Sequence, residues 1–170
     1  VRLNGVHRLG DGLPTIAGVL REAGYDTAAF VGAYVLDRRF GLDHGFDTYD
    51  DQVPRAPEAS TRLEAERKAE VVVDRALAWL ANPARSASRP RFLWVHLYDP
   101  HAPYEPPPAY LARAGGQPYD GEVAYADAQV QRLLEALAAA GRTERTLVAV
   151  AGDHGESLGE HGEATHGHFL

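Results

Sequence analysis

Alternating helical and strand-like segments along these 170 residues predict an α/β fold with a mostly parallel sheet. Three observations carry this reading. Three apolar runs have strand composition, each follows a stretch with helical periodicity, and polar clusters follow directly on the second and third runs.

The first helix opens at Leu13-Pro14-Thr15-Ile16, with Pro near its first turn. Leu13, Ile16, Ala17 and Leu20 fall on one face, and Gly24 stands where a left-handed terminal residue belongs. Residues 26–31 read as a short buried strand ending at Gly32, and residues 32–60 as loop, with Gly41, Gly45, Pro54 and Pro57. A helix is expected over residues 61–80, with Val73, Leu77 and Leu80 on one stripe and Val72, Ala76 and Trp79 beside it. Residues 92–97 form the second strand, and their nearly unbroken apolar run suits a strand covered on both faces. The loop after it ends in Pro106-Pro107-Pro108, which can continue neither a helix nor a central strand. Residues 120–140 are the clearest helix, striped by Val123, Ala126, Val130, Leu133, Leu134 and Leu137 and stopped by Gly141. Residues 146–151 are read as the third strand.

With 45% hydrophobic residues the chain can build one core, so one domain or part of one is expected. Twenty-four acidic residues against 17 basic ones (net charge −7) argue against a nucleic-acid partner. Cysteine is absent, which excludes disulfide and thiol chemistry for these residues without fixing a compartment. No signal-peptide pattern opens the chain, and no apolar run approaches the ~20 residues that span a bilayer. Val1 and the closing His168-Phe169-Leu170 read as cuts, making residues 1–170 a partial domain truncated at both ends.

Ligands of open α/β sheets collect outside the carboxyl ends of the strands. The segment after the third run carries Gly152-Asp153-His154-Gly155, and the segment after the second carries Asp99 and His101. Asp153 and His154 can offer a carboxylate and an imidazole to one cation, with Gly152 and Gly155 allowing a sharp turn beside it. Asp153 suits a helix cap or an Asx turn equally well. Glu156, Glu160, His161, Glu163, His166 and His168 add ionisable side chains nearby, and the last two, flanking Gly167, also fit a polar turn. A lone loop histidine such as His101 is ordinarily just solvated. A proline-fixed loop would nevertheless hold its imidazole as an acid for a leaving group.

Several ordered motifs resemble sulfatases of the alkaline phosphatase superfamily. They are Phe92-Leu93-Trp94-Val95-His96-Leu97-Tyr98-Asp99-Pro100-His101-Ala102-Pro103-Tyr104, Tyr119-Asp120-Gly121-Glu122-Val123-Ala124-Tyr125-Ala126-Asp127, and Asp153-His154-Gly155-Glu156-Ser157-Leu158-Gly159-Glu160-His161-Gly162 with Thr165-His166-Gly167-His168-Phe169-Leu170. The stretch from Pro14 to Gly32 looks like the segment that follows the nucleophile helix in that family. The resemblance covers nearly the whole chain and is weakest over residues 50–90.

It implies a three-layer alkaline-phosphatase-like fold, here incomplete, and metal-dependent hydrolysis of sulfate esters. Asp153 and His154 would be two ligands of one divalent ion, calcium first, with magnesium, manganese or zinc as alternatives. His101 would assist the leaving oxygen, and His166 would contact the sulfuryl or phosphoryl oxygens. A formylglycine nucleophile is expected upstream of Val1, with a small sulfated or phosphorylated substrate. A periplasmic or secreted location follows only by analogy.

This chain departs from the family at several places. The nucleophile motif Cys/Ser-x-Pro-x-Arg is missing, and its nearest string, Ser88-Arg89-Pro90-Arg91-Phe92, leads into a strand where the motif opens a helix. Ala33 and Val35 stand where many sulfatases carry Lys and His, and Asp153-His154 replaces a common Asp-Asn pair. An Asp-His pair occurs in phosphonate monoester hydrolases and phosphoethanolamine transferases of the superfamily, which gives a second reading. A non-catalytic module on the same fold is the third. Oligomeric state cannot be read from these residues. Assayed alone, the 170 residues are expected to turn over no sulfate ester; turnover above a His101→Ala control would contradict this.

Overall fold

In the computed structural model, which describes residues 7–54, 65–86, 88–159 and 162, the first apolar run forms strand β1 (Asp26–Val31). All six of its residues are buried. It lies between β2 (Thr48–Asp50) and β3 (Arg91–His96), and both neighbours run parallel to it. The register pairs Ala28 with Thr48 on one side and with Leu93 on the other, so β1 and β3 end together at Val31 and His96. Burial along β3 is partial at every residue, so the fully covered strand is β1 and not the more apolar second run. β1 has a strand on each side to complete its backbone hydrogen bonds, whereas β3 is bonded to β1 alone among the described residues.

Two compact units make up the chain, Val1–Ala136 and Leu137–Leu170. In the first, helix α2 (Ala69–Ala81) covers one sheet face, where Val72, Ala76 and Trp79 pack with Ala28 and Phe30. Leu93, Val95 and Leu133 close around this cluster. The Phe30 and Trp79 rings meet edge to face at 6.4 Å. On the other face, Phe46 stacks over Phe92 and Trp94 at 5.8 and 6.0 Å. The loop carrying Phe46 also accepts a hydrogen bond from the Thr27 hydroxyl at the Gly45 carbonyl (2.9 Å).

Helix α1 (Ile16–Glu22) reaches this second face through the same loop. Thr15 caps it, accepting from the Gly18 amide (2.9 Å) and donating to the His44 carbonyl (2.8 Å). Gly45, at φ +96°, brings its backbone against Gly18, and a Cβ there would overlap the helix backbone. Gly24 takes the expected left-handed conformation and ends the helix, with Tyr25 N–H donating to Leu20 and Gly24 N–H to Arg21. Of the expected apolar face only Ala17 is buried, while Leu13 and Ile16 stay exposed.

The remaining helices correct the sequence reading in two places. Helix α3 (Pro108–Arg113) begins on the last of the three prolines, because proline is tolerated in a first helical turn even though it breaks an interior one. Helix α4 (Pro118–Ala139) forms where expected, but its buried positions are Gly121, Glu122, Tyr125 and Gln129. Val123 and Leu134 of the expected stripe are exposed. Helical spacing identified the element, and polar bonds made by Glu122 and Tyr125 chose the face.

In the second unit, a 3₁₀ turn at Thr143–Arg145 follows α4, and the expected third strand is not formed. Residues 146–151 pair with no strand among those described, and Leu147 is 94% exposed. Strand composition specifies a residue's fit to a pleated surface and does not by itself supply the neighbouring strand.

Arg67 ties the carboxyl end of the sheet together. Its guanidinium is buried and bonds Asp50 Oδ1 and the Val31 carbonyl, both at 2.7 Å, while its amide donates to Gly32 (2.7 Å). Arg67→Ala is expected to destabilise the fold by about 3–5 kcal/mol, because Asp50 and a buried carbonyl lose their partner; the shift in urea midpoint measures it.

Candidate functional site

Beyond His96, β3 runs into the loop that carries Tyr98, Asp99 and His101, at the carboxyl edge of the sheet. Three carboxylate contacts set the course of this loop. Asp99 is buried, and its Oδ2 accepts the Ala69 amide at 2.9 Å, in the first turn of α2. Lys68, at the cap position of that helix, makes no cap bond with its own side chain, so Asp99 serves in its place. Glu122 of α4 supplies the other two contacts. Its Oε2 accepts the His101 amide (3.1 Å) and its Oε1 the Glu105 amide (2.8 Å).

Burial pushes both carboxyls above their ordinary range. For Asp99 it outweighs the bond from Ala69 and the charge of Lys68, and for Glu122 it outweighs the bonds from Glu105 and His101. Tyr125, one turn further along α4, accepts the Glu70 amide through its hydroxyl (3.1 Å), and burial raises that phenol to about 12.

The His101 imidazole is held on two sides. Its ring stacks on Tyr98, centroids 4.1 Å apart, with the Tyr98 hydroxyl 2.9 Å from Nε2. Nδ1 lies 2.6 Å from the Ala102 carbonyl oxygen. A carbonyl only accepts, so Nδ1 carries a proton and Nε2 is the nitrogen at which a proton can be exchanged.

Asp153 and His154 adjoin each other in the second unit. Asp153 Oδ1 accepts the His154 amide (3.1 Å), and Oδ2 lies 3.6 Å from His154 Nε2. His154 Nδ1 faces the Gly155 carbonyl at 2.8 Å, so Nδ1 is the nitrogen that donates there. The atoms that face each other, His154 Nε2 and Asp153 Oδ2, are an imidazole nitrogen and a carboxylate oxygen. Ligand bonds of roughly 2.0–2.6 Å let one divalent ion touch both atoms. These donor types suit such an ion. Among the described residues no group of three or more His, Asp or Glu side chains is placed to hold a metal. His166 lies outside the described residues.

Ala33 and Val35 belong to a turn region with no basic group of their own, Ala33 bridging to Glu66. The nearby Arg38 and Arg39 are committed to carboxylates. Arg38 grips Asp51 (2.9–3.2 Å), and Arg39 holds Asp37 (2.9 Å). Burial raises both carboxyls, yet these bonds bring each below its usual range.

The sequence reading did not single out Glu122 or Tyr98. Both stand inside the quoted motifs, and the available signal for Glu122 was an acidic residue in helical spacing with Tyr125 and Gln129.

A family model described as Sulfatase matches residues 2–169. Iduronate 2-sulfatase of Homo sapiens is 46% identical over 61 residues, which are 36% of this chain and 11% of that protein. The Mus musculus counterpart is 43% identical over the same length. Two solved structures share the fold. One, described under the metabolism of multiple glycosaminoglycans by Bacteroides thetaiotaomicron, is 18% identical with a TM-score of 0.60, covering 80% of this chain and 40% of that one. The other, a protein in the alkaline phosphatase superfamily from Vibrio parahaemolyticus, is 19% identical with a TM-score of 0.57, covering 75% of this chain and 32% of that one.

Because the Asp99 carboxyl binds its proton more tightly in the folded chain, its contribution to stability falls as pH rises from 3.8 through the raised folded value. Asp99→Asn keeps an acceptor for Ala69 and lacks this titration. Urea midpoints measured across that range are expected to move in favour of the variant as pH rises.

Proposed function

The chain belongs to the sulfatase family, and from that premise we propose that it forms part of an enzyme hydrolysing sulfate esters. The observation that carries the reading is His101, an imidazole with a defined exchangeable nitrogen, braced on a loop at the carboxyl edge of a parallel sheet. Nε2 would hold the proton given to the ester oxygen as its bond to sulfur breaks, while Nδ1–H stays on the Ala102 carbonyl. Water supplies the remaining atoms, so the products are an alcohol and sulfate. The two iduronate 2-sulfatase relatives favour a sulfated sugar as the substrate class.

Asp153 and His154 are the residues we propose for a divalent cation, calcium first, and His166 for contact with the sulfuryl oxygens. When bound, the cation would supply positive charge against the charge that develops on the transferred group. The nucleophile, formylglycine in the family, would come from outside these residues.

A phosphonate or phosphodiester hydrolase, or a phosphoethanolamine transferase, is the second reading. It is favoured by His154 in place of the common Asn and by Ala33 and Val35 in place of basic residues. The full-length protein decides between them when offered a sulfate ester and a phosphonate monoester in parallel. Under the first reading the sulfate ester is preferred, and His101→Ala lowers its turnover about 10²–10⁴-fold. Asp153→Ala weakens cation binding measured by calorimetry. Preference for the phosphonate would establish the second reading, and no turnover of either would point to a non-catalytic module.

A further inference from the structure

We propose that Glu122 is the positioning residue of His101: its carboxylate, anchored on α4, clamps both ends of the segment from His101 to Glu105 and thereby sets where the imidazole stands. The proposal rests on the reading of His101 given above and deepens it.

Glu122 is 2% exposed and, among the described residues, heads the fully buried side chains in volume. A carboxylate persists in such surroundings only when its oxygens are bonded. Each oxygen takes one main-chain amide of the same loop, His101 N–H on Oε2 and Glu105 N–H on Oε1. Both donors are backbone groups, so the bonds fix the path of the chain and not a side-chain rotamer. The helix end bearing Glu122 is itself pressed onto the loop. A Cβ at Gly121 would come within 2.9 Å of Pro106 Cγ, so the approach of helix to loop requires glycine there.

Upstream, Asp99 binds the same loop to α2. The loop is therefore fixed to two helices, and the bond at the His101 amide belongs to Glu122. Neutral side chains of similar size cannot substitute. Glutamine offers one acceptor oxygen and turns an NH₂ group toward an amide that also donates. Aspartate keeps both acceptors on a stem one methylene shorter.

The test uses the full-length protein carrying Glu122→Gln, Glu122→Asp, His101→Ala, and Glu122→Gln combined with His101→Ala. Glu122→Gln is expected to lower kcat about 10- to 100-fold with KM nearly unchanged, the size of effect seen when a supporting partner is removed. Glu122→Asp should recover part of that loss. In the His101→Ala background, Glu122→Gln should cost nothing further, because its effect passes through the missing imidazole. A loss of the same size in both backgrounds would overturn the proposal.

Amide hydrogen exchange gives a readout independent of turnover. The His101 and Glu105 amides should exchange faster in Glu122→Gln, with those of β1 unchanged. Unaltered exchange at His101 and Glu105 would overturn the clamp. If His101→Ala left turnover at the wild-type level, the assigned role of His101 would fail, and the exchange data would still decide the clamp.

Discussion

A strand buried on both faces cannot give its backbone polar groups to water, so its neighbours must take them all. β1 is such a strand, and its demand organises the first unit. β2 and β3 meet it in parallel, which needs crossover segments and brings the ends of β1 and β3 to one edge. The loop bearing His101 starts from that edge because β3 is held in register with β1 from Asp26–Arg91 to Val31–His96. Two helices cover the sheet with small and branched side chains, and Ala17, Ala28, Ala29 and Ala76 leave room for the close approach.

At the carboxyl edge the means of cohesion changes. Arg67, Asp99 and Glu122 are buried there, each bonded to main-chain groups of a different segment. Loops have no ladder in which to place their amides and carbonyls, and charged side chains take over that role. Apolar packing could hold such segments together but would leave these main-chain amides and carbonyls unsatisfied.

The parts of the fold legible in the sequence were those decided by local pattern. The strand at β1, the glycine ending α1 and the span of α4 follow from apolar runs, left-handed turns and helical spacing. The three-residue β2 carried no such pattern, since Thr48-Tyr49-Asp50 is too short to alternate. Residues 146–151 had strand composition but no strand beside them among the described residues. The buried face of α4 depended on two amides about 20 positions back in the chain, which no helical wheel contains. Among the candidate residues, the sequence singled out His101, Asp153 and His154 by their place after apolar runs. It did not reveal the groups that brace His101, because bracing is a property of the fold and not of spacing.

The bond between Asp99 and α2 also bears on charge selection. The amino end of a helix, with its uncommitted amides and partial positive charge, is a ready seat for a sulfate or phosphate. Here an internal carboxylate already sits on the Ala69 amide. A visiting anion arriving at this helix terminus therefore meets a resident negative group, and its welcome must be arranged by side chains elsewhere.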